Sequence, residues 1–246
     1  MLDLLFPNLC PSCRSQISEG AALCGTCLND IDFIENHSVC ALCGDPLGYF
    51  NSRMSAGKAG AQEPRDSHLC ANCLKGRYSF DRARSIAFYD GPVREIIHAL
   101  KYEGKLHLGE VLSDILIKHF PADLGGFDLI VPVPLYISKL RNRLYNQSAI
   151  LASRLARSAG ITADVRGLRK TRDTKPQFEI KDEARRRRNV RGAFGVRDNH
   201  PFARKSVLLV DDVFTTGSTS DECAKTLIKS GALRVQVLTL TRAKGM

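Results

Sequence analysis

From residue 81 onward the apolar residues keep two rhythms: short runs that fill both faces of a strand, and longer segments where they return every three or four positions. RSIAFYD, residues 84–90, alternates weakly and predicts a strand. Pro92 then opens a helix through VREIIHALKYEG, and GEVLSDILIKHF predicts a second that stops before Pro121. FDLIVPVP, residues 127–134, is an apolar strand of the parallel-sheet kind, halted by Pro132 and Pro134. A basic loop, LYISKLRNRLYNQ, precedes a helix over SAILASRLARSAG. A strand around Val165–Leu168 leads into RKTRDTKPQFEIKDEARRRRNVRGAF, which is long and polar, and then into a strand, AFGVR. Val207 to Val210 read as a buried strand, DECAKTLIKSG as a helix, and VQVLTLTRA as a last apolar strand. Strands alternating with helices predict an α/β fold: a mostly parallel sheet with helices on both faces.

Residues 1–80 have few large apolar residues and a different organisation. Eight of the nine cysteines form Cys-x-x-Cys pairs: Cys10/Cys13, Cys24/Cys27, Cys40/Cys43 and Cys70/Cys73. That spacing sets both thiolates of a pair on one side of a tight turn, and two such turns complete a tetrahedral ion. Eight thiolates predict two structural Zn2+ sites, with no coordination position left for catalysis. Sequential pairing gives one site from Cys10, Cys13, Cys24 and Cys27 and another from Cys40, Cys43, Cys70 and Cys73, a double zinc ribbon. Interleaved pairing stays open, as does iron, because spacing alone does not choose. A module of this size with so small a core needs the metals to fold. The chain thus divides at residue 80 into a cysteine-rich zinc module, 1–80, and an α/β domain, 81–246. Residues 51–68 read as a mobile loop inside the second ribbon. The ninth cysteine, Cys223, falls beside Leu227 on the apolar side of its helix and predicts a core position. MLDLLFPNLC lacks the basic flank and apolar run of a secretion signal, and no segment holds eighteen consecutive apolar residues. The expectation is a soluble cytoplasmic protein without membrane insertion, where thiols bind metal in preference to pairing as disulfides.

The densest chemistry lies at residues 207–219, VLLVDDVFTTGST. A buried strand, two adjacent carboxylates, a loop of small hydroxyl residues with a glycine, and a helix follow in order. Backbone N–H groups of such a loop and the free donors of the helix N-terminus stabilise an anion, and Gly217 lets the backbone approach without a Cβ. Asp211 and Asp212 are ill-suited to a phosphate and well suited to accept hydrogen bonds from vicinal ribose hydroxyls. The stretch resembles the signature of the type I phosphoribosyltransferases. That resemblance implies a site for phosphoribosyl pyrophosphate (PRPP) with Mg2+ over Asp211, Asp212, Val213, Phe214, Thr215, Thr216, Gly217, Ser218 and Thr219. Asp211 and Asp212 would be its catalytic pair.

Charge sharpens the picture. The net charge is +10, yet residues 138–205 hold 19 Lys/Arg against 6 Asp/Glu, so one stretch carries the whole surplus. Such concentration favours a polyanionic ligand. Lys139, Arg141 and Arg143 lie beyond the carboxyl end of the 127–134 strand, where α/β sheets bind ligands, and arginine forks match pyrophosphate oxygens. The 169–194 stretch suits a lid over bound PRPP, and its Arg185 to Arg188 alternatively suit a nucleic-acid backbone.

DLIVPVPL, the R-x-R-x-x-NQ that follows, LRKTRDTKPQ, R-R-N-V-x-GAF and LLVDDVFTTGST together resemble the ComF family, also called competence protein F or GntX-like proteins. The similarity covers nearly the whole chain and implies an N-terminal zinc module with a C-terminal phosphoribosyltransferase domain. It places Asn146 and Gln147 beside the basic loop. One position departs: the family's usual Arg-Gly-Phe-Asn-Gln is here Arg143-Leu144-Tyr145-Asn146-Gln147. Three roles follow as expectations. The chain binds PRPP and acts in DNA uptake, with single-stranded DNA on Arg185, Arg186, Arg187, Arg188 and Arg191. Or it is an active phosphoribosyltransferase that moves ribose 5-phosphate to a nucleobase. Or its zinc ribbon is an adaptor that docks other DNA-uptake proteins.

Overall fold

Two short helices, α1 (Gly25–Asn29) and α2 (Ala71–Lys75), each follow directly on a cysteine, Cys24 or Cys70, at the N-cap. The computed structural model describes residues 9–18, 21, 23–35, 37–47, 68–76, 78–175, 180 and 182–244. Of the loop expected at 51–68, residues 51–67 lie outside this set. Strand β1 (Arg82–Phe88) leads to α3 (Gly91–Tyr102), where Pro92 occupies the first turn and the Asp90 carboxylate accepts from the Gly91 N–H. Helix α4 (Leu108–Lys118) precedes β2 (Leu129–Pro132). Next come α5 (Ile137–Arg143), α6 (Gln147–Ala159) and two short strands, β3 (Thr162–Ala163) and β4 (Leu168–Lys170). Helix α7 (Glu183–Val190), β5 (Phe194–Val196), β6 (Ser206–Phe214), α8 (Ser218–Lys229) and β7 (Arg234–Arg242) complete the order.

The main sheet runs β1-β7-β6-β2-β3 and every pairing in it is parallel, while β4 and β5 form a separate antiparallel pair. Strands β2 and β6 are neighbours whose following connections diverge. From β2 the chain crosses to β3 on one side, and from β6 it crosses to β7 on the other. Diverging connections open a crevice beyond the carboxyl ends of the two strands, which is where parallel sheets take ligands.

Both faces of the sheet are covered. On one, Ile130, Leu208, Val210, Leu238 and Leu240 pack against apolar stripes of α3, α4 and α6. On the other, Leu129, Val131, Val207, Leu209, Val235 and Val237 meet Cys223, Ala224 and Leu227 of α8, Val190 of α7 and Phe194 of β5. Cys10 and Cys27 join the first core, and Cys40, Cys43 and Cys73 the second, so the cysteine-rich segment clasps the sheet from both sides. It also pairs with the outer edge of β1: Ile34 N–H donates to Ile86 O (2.9 Å), Phe88 N–H to Asp32 O (2.9 Å) and Ala83 N–H to Leu42 O (2.7 Å). Gly44, at φ +70, passes so close that a Cβ there would sit 2.5 Å from Ala83 O.

Four expectations need correction. The basic stretch after β2 is not a loop throughout, because α5 occupies Ile137–Arg143 and ends where Leu144 turns left-handed at φ +67. No strand spans Val165–Leu168. Asp164 Oδ1 accepts from both Arg166 N–H and Gly167 N–H, and this tight turn separates β3 from β4. The 169–194 stretch, for which no helix was expected, holds α7: Asp182 caps it by accepting from Ala184 N–H, and Glu183 pairs with Arg187 one turn on. Of that stretch, 176–179 and 181 lie outside the described residues. Finally, β6 does not stop before the acidic pair, since Asp211 and Val213 continue its ladder to β7, and Ser218 and Thr219 already belong to α8.

Candidate functional site

Beyond β6 the chain turns through Thr215, Thr216 and Gly217 into α8. Gly217 has φ +72 and is the N-cap of α8, where it offers no side chain of its own to cap the first turn. A Cβ at Gly217 would lie 2.6 Å from Phe214 Cζ and 3.2 Å from Tyr78 Cε1, so both the backbone twist and the close packing require glycine. Thr216 Oγ1 and Ser218 Oγ are 2.8 Å apart. A helix start ringed by small hydroxyl residues has the donors and the positive dipole end that a phosphate needs.

This turn is braced from outside. Tyr78 Oη donates to Thr216 O (3.1 Å), and the Ser79 N–H donates to Asp221 Oδ1 (2.6 Å) in the first turn of α8. Behind the turn, buried Arg242 donates to Cys43 O (2.8 Å) and lays its guanidinium over the Phe214 ring, 4.6 Å from the centroid. The strap that follows the last cysteine pair and the carbonyl of Cys43 thus both reach the loop.

The two carboxylates differ. Asp211 Oδ1 accepts from Ser148 Oγ (2.8 Å) at the start of α6 and from Asp212 N–H (2.9 Å). Burial, then the neighbouring Asp212 charge, push the Asp211 carboxyl up to about 7, against the lowering pull of Ser148 and Lys101. Asp212 is buried and forms an ion pair with Lys101 of α3. Burial works against the Lys101 ammonium, but the charge and hydrogen bond of Asp212 outweigh it and the net shift is upward.

Across the crevice, α5 carries the basic residues. Lys139 Nζ donates to Thr174 O (3.1 Å), and Lys170 Nζ from β4 donates to Thr174 Oγ1 (2.6 Å). Burial, then the nearby Lys139 charge, hold the Lys170 ammonium below its ordinary value. Arg141 is exposed. Arg143 donates to Gln147 Oε1 (2.8 Å) and lies over the Tyr102 ring. Asn146 is the N-cap of α6: its Oδ1 accepts from Ser148 N–H and its Nδ2 donates to Val133 O. Asn146 and Gln147 are therefore engaged within the fold, and Asn146 aims Ser148 at Asp211.

The α7 arginines do not act as a block. Arg186 is buried, 3% exposed, and donates to Ile180 O. Arg187 pairs with Glu183 and lies over the Tyr78 ring. Arg185, Arg188 and Arg191 face outward. A run of like charges on a helix distributes round its circumference, which spacing shows once the helix is known.

The cysteine sulfurs gather sequentially: Cys10, Cys13, Cys24 and Cys27 in one set, Cys40, Cys43, Cys70 and Cys73 in the other, each with ligand atoms within 4.8 Å of one another. Tetrahedral zinc with Zn–S near 2.3 Å needs sulfur–sulfur edges of roughly 3.8 Å, and Cys13–Cys24 at 3.5 Å and Cys43–Cys70 at 3.7 Å suit it. Backbone N–H groups of Cys27 and Cys70 donate to Cys24 and Cys40 sulfurs, as thiolates in such knuckles require. Among the described residues these are the groupings that fit a metal, and no described helix is long and apolar enough to cross a membrane.

Lys101, Ser148, Tyr78 and Arg242 were not singled out by sequence. Lys101 follows Ile97 by four residues and so falls on the buried face of α3, a signal that a lysine at a helix end does not advertise.

Residues 1–74 match the double zinc ribbon domain. The DNA utilization protein YhgH of Escherichia coli K12 is 30% identical over 246 residues, covering 97% of this chain and 99% of that protein. Competence protein F of Haemophilus influenzae is 30% identical over 95% of this chain and 96% of its own length. An amidophosphoribosyltransferase of Haemophilus influenzae is 27% identical over 134 residues, 54% of this chain and 24% of that protein. Among solved structures, adenine phosphoribosyltransferase from Thermoanaerobacter pseudethanolicus covers 65% of this chain and 78% of its own, at 15% identity and a TM-score of 0.38. With its paired zinc knuckles, its parallel sheet and relatives matched end to end, the chain belongs to the ComF family, that of competence protein F and YhgH.

Proposed function

We propose that this protein binds PRPP with Mg2+ in the crevice beyond β2 and β6 and serves DNA utilization, as the names of its relatives suggest. One observation carries the reading: a left-handed Gly217, with no side chain of its own to cap the helix it starts, follows two carboxylates by a short turn at a topological switch point. The 5′-phosphate would lie against the backbone of residues 215–219, the ribose hydroxyls against Asp211 and Asp212, and the pyrophosphate towards Lys139, Arg141 and Arg143. Mg2+ would arrive on the pyrophosphate and neutralise part of its charge. For transfer to a base, what this chain supplies is placement of the pentose and cationic groups near the departing pyrophosphate.

Calorimetry with Mg-PRPP tests the site. Wild type is expected to bind, and the Asp211→Asn, Asp212→Asn double variant to lose at least about tenfold in affinity. Equal affinity of the two would remove the assignment. Pyrophosphate release in the presence of candidate bases, against a PRPP-only blank, separates a transferase from a PRPP-binding protein.

The role in nucleic-acid handling rests on the exposed cations of α7. Arg185, Arg188 and Arg191 would meet phosphates of single-stranded DNA, whereas Arg186 is buried and Arg187 is engaged by Glu183 and the Tyr78 ring. Alanine at the three outward positions should weaken DNA binding and flatten its salt dependence while PRPP affinity stays unchanged. The zinc ribbon is the surface left for other DNA-uptake proteins, and a cytoplasmic location fits reduced, metal-binding thiols.

A further inference from the structure

The crevice floor poses an electrostatic difficulty. Two adjacent carboxylates are a poor base for a ligand that brings several phosphate charges. The groups that act on the pair are Lys101 of α3, Ser148 of α6, Lys170 of β4 and Cys223 of α8, and Tyr89, just past β1, acts on Lys101. Lys170 is engaged by Thr174, Ser148 by Asp211, and Cys223 is a buried thiol. Lys101 is the cation in direct contact with the floor. Its side chain is 16% exposed, that of Asp212 is 8% exposed, and it reaches the carboxylate from the last turn of α3. A lysine this buried is held where it is by its partner, since removing it would leave a desolvated carboxylate alone.

We propose that Lys101 is a positioning residue of the pentose site: its ammonium anchors the Asp212 carboxylate to α3 and cancels one of the floor's two negative charges, which admits a polyanionic phosphorylated pentose. The role rests on the reading of the crevice as a PRPP site. The charge of Lys101 also bears on Asp211, whose carboxyl it pulls down against burial and against Asp212. Without the ammonium the two acids share the floor as an uncompensated pair, so Asp211 gives up its proton at higher pH and ligand affinity falls.

The test is Mg-PRPP calorimetry from about pH 6 to about pH 9 on wild type, Lys101→Gln and Lys101→Arg, with ligand titration cancelling between variants measured alike. Lys101→Gln is expected to lose at least about tenfold in affinity near neutrality and to shift the midpoint of its pH profile upward, while Lys101→Arg stays within about threefold with its midpoint unmoved. Should Lys101→Gln not fold, the Lys101→Met, Asp212→Asn pair replaces it. That pair removes both charges together, and because the Asp212 charge acts on Asp211 more strongly than Lys101 does, its pH midpoint is expected at or below that of wild type. An upward displacement there, or an unmoved midpoint with unchanged affinity in Lys101→Gln, overturns the role. If wild type takes up PRPP and Lys101→Gln does so equally well, this role alone falls. If wild type takes up none at any pH, the site reading falls and the role with it.

Discussion

Asp211 shows how function and stability pull apart at a single residue. Its carboxyl is pushed up to about 7, mainly by burial, whereas in an unfolded chain it titrates near 3.8. Between those values the folded protein keeps a proton that the unfolded chain has given up, so its stability falls by about 1.4 kcal/mol per pH unit as pH rises. The contribution is complete below the unfolded value and gone above the folded one. Asp211→Asn, which cannot ionise, should therefore raise the melting temperature more at pH 8 than at pH 4.5. An equal gain at both would show that Asp211 is ionised throughout. Asparagine keeps an acceptor for Ser148 Oγ, so the comparison isolates charge. Asp211 was legible in sequence, because two carboxylates after an apolar strand have few ordinary uses. Its difference from Asp212 was not: it depends on Lys101 and Ser148, which arrive from helices 110 and 63 positions away along the chain and carry no local mark.

At the scale of elements, periodicity recovered α3, α4, α6, α8 and the buried strands, whose apolar stripes are long and bounded by proline, glycine or asparagine. It failed where local hydrogen bonding decides. The Asp164 turn breaks an apparently continuous strand, and α5 forms from a segment with no buried residue. Helix α5 ends at Leu144, a residue that departs from the family's usual glycine and stands at φ +67 with 86% of its surface exposed. Left-handed backbone costs a non-glycine residue about 1–2 kcal/mol, and glycine's freedom in the unfolded chain returns about 0.4–1 of that. Leu144→Gly should therefore stabilise the protein by about 1 kcal/mol in urea unfolding, since almost no packing is lost. A loss of stability would mean that the Leu144 side chain contributes contacts that outweigh its backbone strain. Gly217 is the opposite case: sequence asked for glycine so that an anion could approach the backbone, and the structure requires it for a different reason, φ +72 and close packing against Phe214 and Tyr78.

In the whole molecule, the cysteine-rich segment and the sheet are not independent. The four Cys-x-x-Cys pairs announced two metal sites, but spacing said nothing of where the ribbon rests. Its contacts with β1, Arg242 of β7 and α8 join residues far apart in sequence. Because the strap after Cys73 holds both Thr216 and Asp221, loss of the second metal should loosen the turn that faces the phosphate. Cys73→Ser is expected to weaken Mg-PRPP binding more than Cys13→Ser, with zinc content measured alongside to confirm that each variant has lost one ion. Equal weakening would assign the effect to general unfolding.

The ribbon also hides something from other copies of the chain. Strand β1, RARSIAF, has β7 on one side, and on the other, among the described residues, backbone hydrogen bonds to Asp32, Ile34 and Leu42. Chelation would strip that cover and bare the N–H and C=O groups along the outer edge of β1, a template for edge-to-edge stacking of molecules. Metal starvation would then present itself first as turbidity that grows with protein concentration, so the zinc ions would keep the protein single as well as folded.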